Sequence, residues 1–169
     1  NEADGIEVWG FQNNVYDNNI AKNNLYGIFL VYSSNNSISN NNITANNSAG
    51  IYLSESPNNR INRNNITANS LAGIYLSESS SNSISGNNIA KNKHEGYLVD
   101  GLHLADSLYN DIVGNNITSN QDHGVCLYES SNNNISGNNI ANNSEGIDLF
   151  MSQHNLIFHN NFLNNSIQV

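Results

Sequence analysis

The sequence predicts an all-β fold, a single-stranded parallel β-helix (solenoid) of about seven coils, and three observations carry that prediction. The first is repetition: Gly50–Thr67 reads GIYLSESPNNRINRNNIT and Gly73–Ala90 reads GIYLSESSSNSISGNNIA. The second is period. The opening glycines Gly5, Gly27, Gly50, Gly73, Gly101, Gly124 and Gly146 recur every 22–23 residues, with one interval of 28. A repeat of that length is one supersecondary unit that buries its apolar face only against its neighbours. The third is the pattern inside each unit, where apolar residues alternate in runs of three or four between Asn, Ser and Gly. No stretch sustains a helical period, so these runs read as strands separated by corners. Three short strands per coil, each paired with its equivalent about 4.8 Å along the axis, satisfy that pattern.

Each element follows from its column. First strands supply two inward places, Ile6/Ile28/Ile51/Ile74/Leu102/Val125/Ile147 and Val8/Leu30/Leu53/Leu76/Leu104/Leu127/Leu149. Second strands supply Val15, Ile38, Ile61, Ile84, Ile112, Ile135 and Ile157; third strands supply Ile20, Ile43, Ile66, Ile89, Ile117, Ile140 and Phe162. β-Branched side chains stacked on their own kind fill a narrow bore well, so these columns are the expected core. Two Asn columns flank the third strand, Asn18/41/64/87/115/138/160 and Asn23/46/69/92/120/143/165. Asn accepts left-handed turn conformations and can bond the same residue one coil away, so both are expected to be corner ladders. A Ser column, from Ser33 through Ser56 and Ser79 to Ser152, is expected to form a third, with Pro57 beside its bend.

The long interval comes from five residues inserted within 93–100, and insertions of this kind bulge over one face of a solenoid, often the binding face. Residues 1–169 read as one β-helical domain. The start in mid-pattern without Met, and ends that lack an evident cap, lead us to expect a piece of a longer protein in which further coils or domains follow.

Composition narrows the partners. Asn makes up 40 of the 169 residues, and the spaced Ile, Leu and Gly argue for a folded solenoid over a disordered Asn-rich tract. Fourteen acids against five bases leave a net charge of −9, a poor surface for nucleic acid. Cys126 is the one cysteine, so there is no disulfide framework, and no apolar run is long enough to insert into a bilayer as a helix.

Three surface features carry candidate chemistry. The residue two after each opening Gly points outward, giving Glu7, Phe29, Tyr52, Tyr75, His103, Cys126 and Asp148. Phe29, Tyr52 and Tyr75 form an aromatic strip of the kind against which sugar rings pack, and are the candidate carbohydrate-binding residues. Glu55, Glu78, Asp106 and Glu129 form an acidic column whose mutual repulsion a Ca2+ ion would relieve; these are the candidate metal ligands. The densest cluster falls on coils five to seven. Asp100, His103, Asp122, His123 and Asp148 are the candidate catalytic residues, with Cys126 and Glu145 beside them, because His next to Asp serves acid–base chemistry on a sugar.

The repeated Gly-Ile-x-Leu-x-x-Ser-x-x-Asn-x-Ile-x-x-Asn-Asn-Ile-x-x-Asn resembles the repeat of the NosD-like family of carbohydrate-binding proteins and sugar hydrolases, from Gly27 to Asn165. The resemblance implies a right-handed β-helix and an extracellular or cell-surface location facing polysaccharide or cell-envelope glycan. His154–Asn165 is similar to the final coil of large archaeal surface proteins of this type. Among such relatives are alginate epimerases, polysaccharide lyases and a periplasmic copper-delivery protein. Asp122-His123 is the nearest match to an epimerase or lyase site, yet no Arg or Lys accompanies it to neutralise a uronate. The motif consists of core and corner residues, so the leading expectation is a non-catalytic spacer domain, without a cofactor, that binds glycan on the aromatic strip. The alternative is a polysaccharide hydrolase, lyase or epimerase acting through the His/Asp patch.

Overall fold

The computed structural model describes residues 3–96 and 99–169. Its strands form three seven-stranded parallel sheets, each taking one strand from every coil, in the right-handed parallel β-helix expected. The first sheet contains Ile6–Val8, Ile28–Val31, Ile51–Ser54, Ala72–Ser77, Asp100–Ala105, His123–Tyr128 and Glu145–Phe150. Strands of three residues, such as Arg60–Asn62 and Asn65–Thr67, build the other two. Register follows the columns: Ile28 pairs with Ile51, Ile61 with Ile84, and Ile66 with Ile89. From Ile28 to Ile140 the inward Ile, Leu and Val are essentially sealed from solvent and form one continuous bore.

The opening glycines are fixed by crowding. A Cβ on Gly50 would lie 2.5 Å from Ile66 Cγ2 and 2.7 Å from the Gly73 carbonyl oxygen. Because the second obstacle is backbone, the coil must open to admit even one carbon. Gly50→Ala is therefore expected to cost about 1–3 kcal/mol, read as a lower urea midpoint at unchanged slope.

The corner ladders exist, but Asn serves them differently from expectation. Each ladder residue is preceded by one with positive φ, and that residue is often not Asn: Ala45, Arg63, Ala68, Glu55 and Tyr32 all lie between +46° and +58°. Left-handed backbone is disfavoured for L-residues other than Gly and Asn. The ladder holds it in place. Asn64 Oδ1 accepts from both Asn41 N and Asn41 Nδ2 at 3.0 Å, while Asn64 Nδ2 donates to Asn87 Oδ1 at 3.0 Å and to the Ile38 carbonyl at 3.0 Å. The Ser column works likewise, Ser33 N donating to Ser56 Oγ at 3.0 Å. A further ladder runs Asn13, Asn36, Asn59, Asn82, Asn110, Asn133, Asn155, with backbone N to Oδ1 distances of 2.7–2.8 Å. Its signal was the Asn three places after each ladder Ser.

The insertion leaves the third sheet after Asn88–Ala90 and returns at Val99, which is buried and accepts a hydrogen bond from Asp122 N at 3.0 Å. Gly96 turns it with φ +89°, and His94 N donates to Gln121 Oε1 at 2.8 Å. Tyr97 and Leu98, within the expected insertion, lie outside the described residues, as do Asn1 and Glu2.

Candidate active site

The first sheet presents the outward column in the expected order, since Phe29 pairs with Tyr52, Tyr52 with Tyr75, Tyr75 with His103, His103 with Cys126, and Cys126 with Asp148. Its N-terminal half is a run of ring contacts. Phe29 and Tyr52 stack with centroids 5.4 Å apart, Tyr26 stacks on Tyr52 at 4.7 Å, and Tyr75 stacks on His103 at 4.6 Å with an interplanar angle of 9°. Tyr26 was missed because it precedes the opening Gly and belongs to a different column.

At the C-terminal end of this strip the column becomes a cleft of about 340 Å3. Asp100, His103, His123, Cys126 and Asp148 line it, so four of the five candidate catalytic residues meet in one place. Asp122 is not among the lining residues but lies against His123. The walls are Tyr75 on one side and the exposed, stacked pair Tyr128 and Phe150 on the other, 5.3 Å between centroids, with Leu71. Tyr128 and Phe150 were legible: each lies two places after an outward residue already singled out, Cys126 and Asp148, and strand alternation carries the column on to them.

Asp100 organises the chemistry. It sits at the start of its strand, just before Gly101, and is 6% exposed. Its Oδ2 lies 2.7 Å from His103 Nδ1, and its Oδ1 lies 2.8 Å from His123 Nδ1 and 3.2 Å from His123 N. Burial alone would push this carboxyl up, but the hydrogen bonds and charges of both imidazoles outweigh it and hold it below the ordinary carboxylate range. An ionised carboxylate only accepts, so both rings carry their proton on Nδ1. When neutral, each ring then has its lone pair on Nε2.

The hydrogen bond to Asp100 raises His123 to about 9 against opposing burial, with Asp100, Asp122 and Asp148 adding to the rise. Asp122 Oδ2 is 3.2 Å from His123 Nδ1 yet is buried without a hydrogen bond, because the single proton there goes to Asp100. Burial, then the charges of Asp100, Glu145 and Asp148, push Asp122 up despite His123. Two neighbouring carboxyls are thus driven in opposite directions, an arrangement that separates acid and base roles. Burial, followed by the same acids, pushes the Cys126 thiol far up, so it is not a nucleophile at neutral pH.

The sign of the linkage sets a pH prediction. The raised His123 stabilises the fold fully below its unfolded value near 6.5, and that contribution is lost as pH rises through about 9. The lowered Asp100 contributes above the ordinary carboxyl range and loses its part on acidification. Urea midpoints measured from pH 6 to pH 10 are expected to fall on the basic side, and His123→Gln is expected to flatten that slope.

Two donor groups come close enough to hold a metal ion, Asp100/His103/Cys126 and Asp100/Asp122/His123, with ligand atoms within 4.8 Å of one another. Among the described residues the acidic column Glu55, Glu78, Asp106 and Glu129 enters no such group. Those four side chains all follow the first strand at left-handed corner positions, φ +46° to +49°, each preceding a ladder Ser.

Fold and site together define a right-handed parallel β-helix with a lateral cleft lined by carboxylates, imidazoles and aromatic rings. The family model described as "Periplasmic copper-binding protein (NosD)" matches residues 1–103 and 99–169, and the chain belongs to this family. Its periplasmic description agrees with the extracellular or cell-surface location expected. Among solved structures, a double mutant of the periplasmic alginate epimerase AlgG is similar with a TM-score of 0.80, at 18% identity over 90% of this chain and 42% of that one. The Azotobacter vinelandii mannuronan C-5 epimerase AlgE4 A-module gives a TM-score of 0.74, at 18% identity over 96% of this chain and 56% of that one. Pectate lyase Pel9A gives 0.60, at 16% identity over 74% and 42%. The chain therefore spans about half the length of these proteins, and at such identities the likeness is one of fold. No curated protein matches it. No helix among the described residues is long and apolar enough to cross a membrane.

The expectation of a non-catalytic spacer is corrected here. A spacer needs core and corner columns alone, whereas this chain gathers two imidazoles on one buried carboxylate inside a cleft, on a fold shared with the epimerases and lyase above.

Proposed function

We propose that the chain is the catalytic β-helix of a polysaccharide-modifying enzyme, a hydrolase, lyase or epimerase, and that the cleft around Asp100 is its active site. The observation that carries this is the pair of Nδ1 contacts, 2.7 and 2.8 Å, by which Asp100 orients His103 and His123 toward one cavity. With a value near 9, His123 is an imidazolium at neutral pH and serves as general acid; His103, when neutral, offers Nε2 as general base. Such a pair protonates a leaving oxygen on one side of a sugar and accepts a proton on the other. The similar epimerases and lyase support a glycan as the substrate class, and the absence of a basic patch speaks against nucleic acid. The aromatic strip of Phe29, Tyr52 and Tyr75 leads into the cleft through the Tyr75–His103 stack, and would guide a polymer to it.

The test is a panel of neutral, acidic and amino polysaccharides assayed for new reducing ends, for unsaturated products and for epimerised residues by NMR. Modification of one polymer that His123→Ala abolishes is expected; a chain inert on the whole panel, or indifferent to His123→Ala, would reject an enzyme.

A second reading comes from the donors. Carboxylate oxygen, imidazole nitrogen and thiol sulfur at Asp100/His103/Cys126 suit a borderline ion such as zinc or copper(II), and copper is the metal in the family description. Bound there, such an ion would supply Lewis acidity. Calcium, which takes six to eight oxygens, would instead be sought at the acidic column. Calorimetric titration with Cu2+, Zn2+ and Ca2+ decides between them, with Cys126→Ser expected to weaken the first two and Glu78→Gln with Asp106→Asn the third.

A further inference from the structure

The charge of the cleft differs from what a uronate polymer needs. Asp100 and Asp148 line it, with Glu145 and Asp122 around His123, whose Nε2 is 3.7 Å from Glu145 Oε2. Among the described residues no Lys or Arg lines it. Lys93, the base of the inserted segment, faces a separate groove with His94, Glu95 and Gln121. Four carboxyl groups thus crowd around the His123 imidazole. A sugar carboxylate entering this space meets several like charges and no guanidinium or ammonium to pair with, and at short range in a partly desolvated cleft that repulsion is large.

The walls add a second, independent preference. Tyr75, Tyr128 and Phe150 bring aromatic rings to both sides of the acidic floor, and the stacked Tyr128–Phe150 pair is open to solvent. Aromatic rings around an anionic floor attract an ammonium group by cation–π and Coulomb forces together. From this combination we infer that the cleft selects a cationic glycan, a polymer carrying free amino sugars, over the uronate polymers on which the structurally similar epimerases and lyase are named to act. The inference rests on the cleft being the glycan site, and it concerns binding, so it stands or falls separately from turnover.

The test uses the whole chain and three oligosaccharides of equal length: glucosamine tetramer, N-acetylglucosamine tetramer and galacturonate tetramer. Binding is measured by calorimetry at low and moderate salt, with and without a chelator. The glucosamine tetramer is expected to bind, to weaken with salt, to be indifferent to chelator, and to exceed the other two by about tenfold or more. Asp148→Asn and Tyr128→Ala are each expected to weaken it roughly fivefold to tenfold. Asp17→Asn, at a distant corner, controls for net charge, and unfolding curves establish that each variant is folded; Glu145→Gln replaces Asp148→Asn if the latter is not. Equal binding of the N-acetylated tetramer, stronger binding of the galacturonate, or binding of any of them only when a divalent metal is added would overturn the inference. Amino-sugar binding without modification of any polymer would leave it standing and remove the enzyme. Cleavage of a uronate polymer, lost in His123→Ala, would do the reverse.

Discussion

An Asp100→Asn variant is expected to keep its fold and lose about 10²- to 10⁴-fold in turnover, the size of a general acid–base contribution. One ionised carboxylate now accepts from two Nδ1–H groups, at 2.7 and 2.8 Å. An amide has one oxygen and one NH2, so it can satisfy one imidazole while its nitrogen confronts the other donor, whose ring must turn or change tautomer. The His123 proton, held by that hydrogen bond, should also become easier to lose. The pH–rate profile therefore discriminates: a role limited to structure lowers the whole curve, whereas a positioning role also moves its basic limb to lower pH. Loss of less than about threefold, with an unmoved basic limb, would remove Asp100 from the mechanism.

Asn64→Ala is the largest expected loss of stability. The side chain receives Asn41 N and Nδ2 and donates to Asn87 Oδ1 and to the Ile38 and Asn62 carbonyls, all at 3.0–3.2 Å, and its backbone N donates to Asn87 Oδ1 at 2.9 Å. Removing it strands donors of Asn41 and the Ile38 carbonyl in a place closed to water. With each stranded group costing about 1–3 kcal/mol, a total on the order of 4 kcal/mol is expected, a large share of a typical domain's stability. The neighbouring Arg63, at φ +55°, would lose the contacts that hold its backbone there. Urea unfolding of Asn64→Ala against Asn65→Ala checks this, because Asn65 is exposed and should cost far less. Equal, small losses would mean that the bore alone holds the coils together.

The solenoid was legible because every level of the sequence repeats the same instruction. The opening Gly, the Ile columns and the paired Asn recur at one spacing, and only stacked coils reconcile them. The left-handed corner positions were not legible: Ala45, Arg63, Ala68 and Glu55 have no intrinsic preference for positive φ, and the ladder residue after each one imposes it. For the site, alternation placed His103, Cys126 and Asp148 in one column, and stacking put Asp100 and His123 near them. What the columns could not convey is that one buried carboxylate would orient both imidazoles. That depends on side-chain directions where the strand leaves the corner, and on an insertion that brings Asp100 to the place held by Ala72 one coil earlier. Function was misjudged for a related reason. The family motif consists of the residues that build the scaffold, while the candidate catalytic residues sit in columns that the motif leaves free.

Nitrogen-15 NMR of the imidazole rings during a pH titration, repeated with glucosamine tetramer present, tests whether Asp100 holds His103 and His123 by Nδ1 at the floor of a glycan cleft. Both rings are expected to show protonated Nδ1, with His123 titrating near pH 9, and the added sugar is expected to shift the Nε2 signals of both. Rings protonated on Nε2 when neutral, an unshifted His123 titration, and signals unmoved by every oligosaccharide of the panel would contradict it.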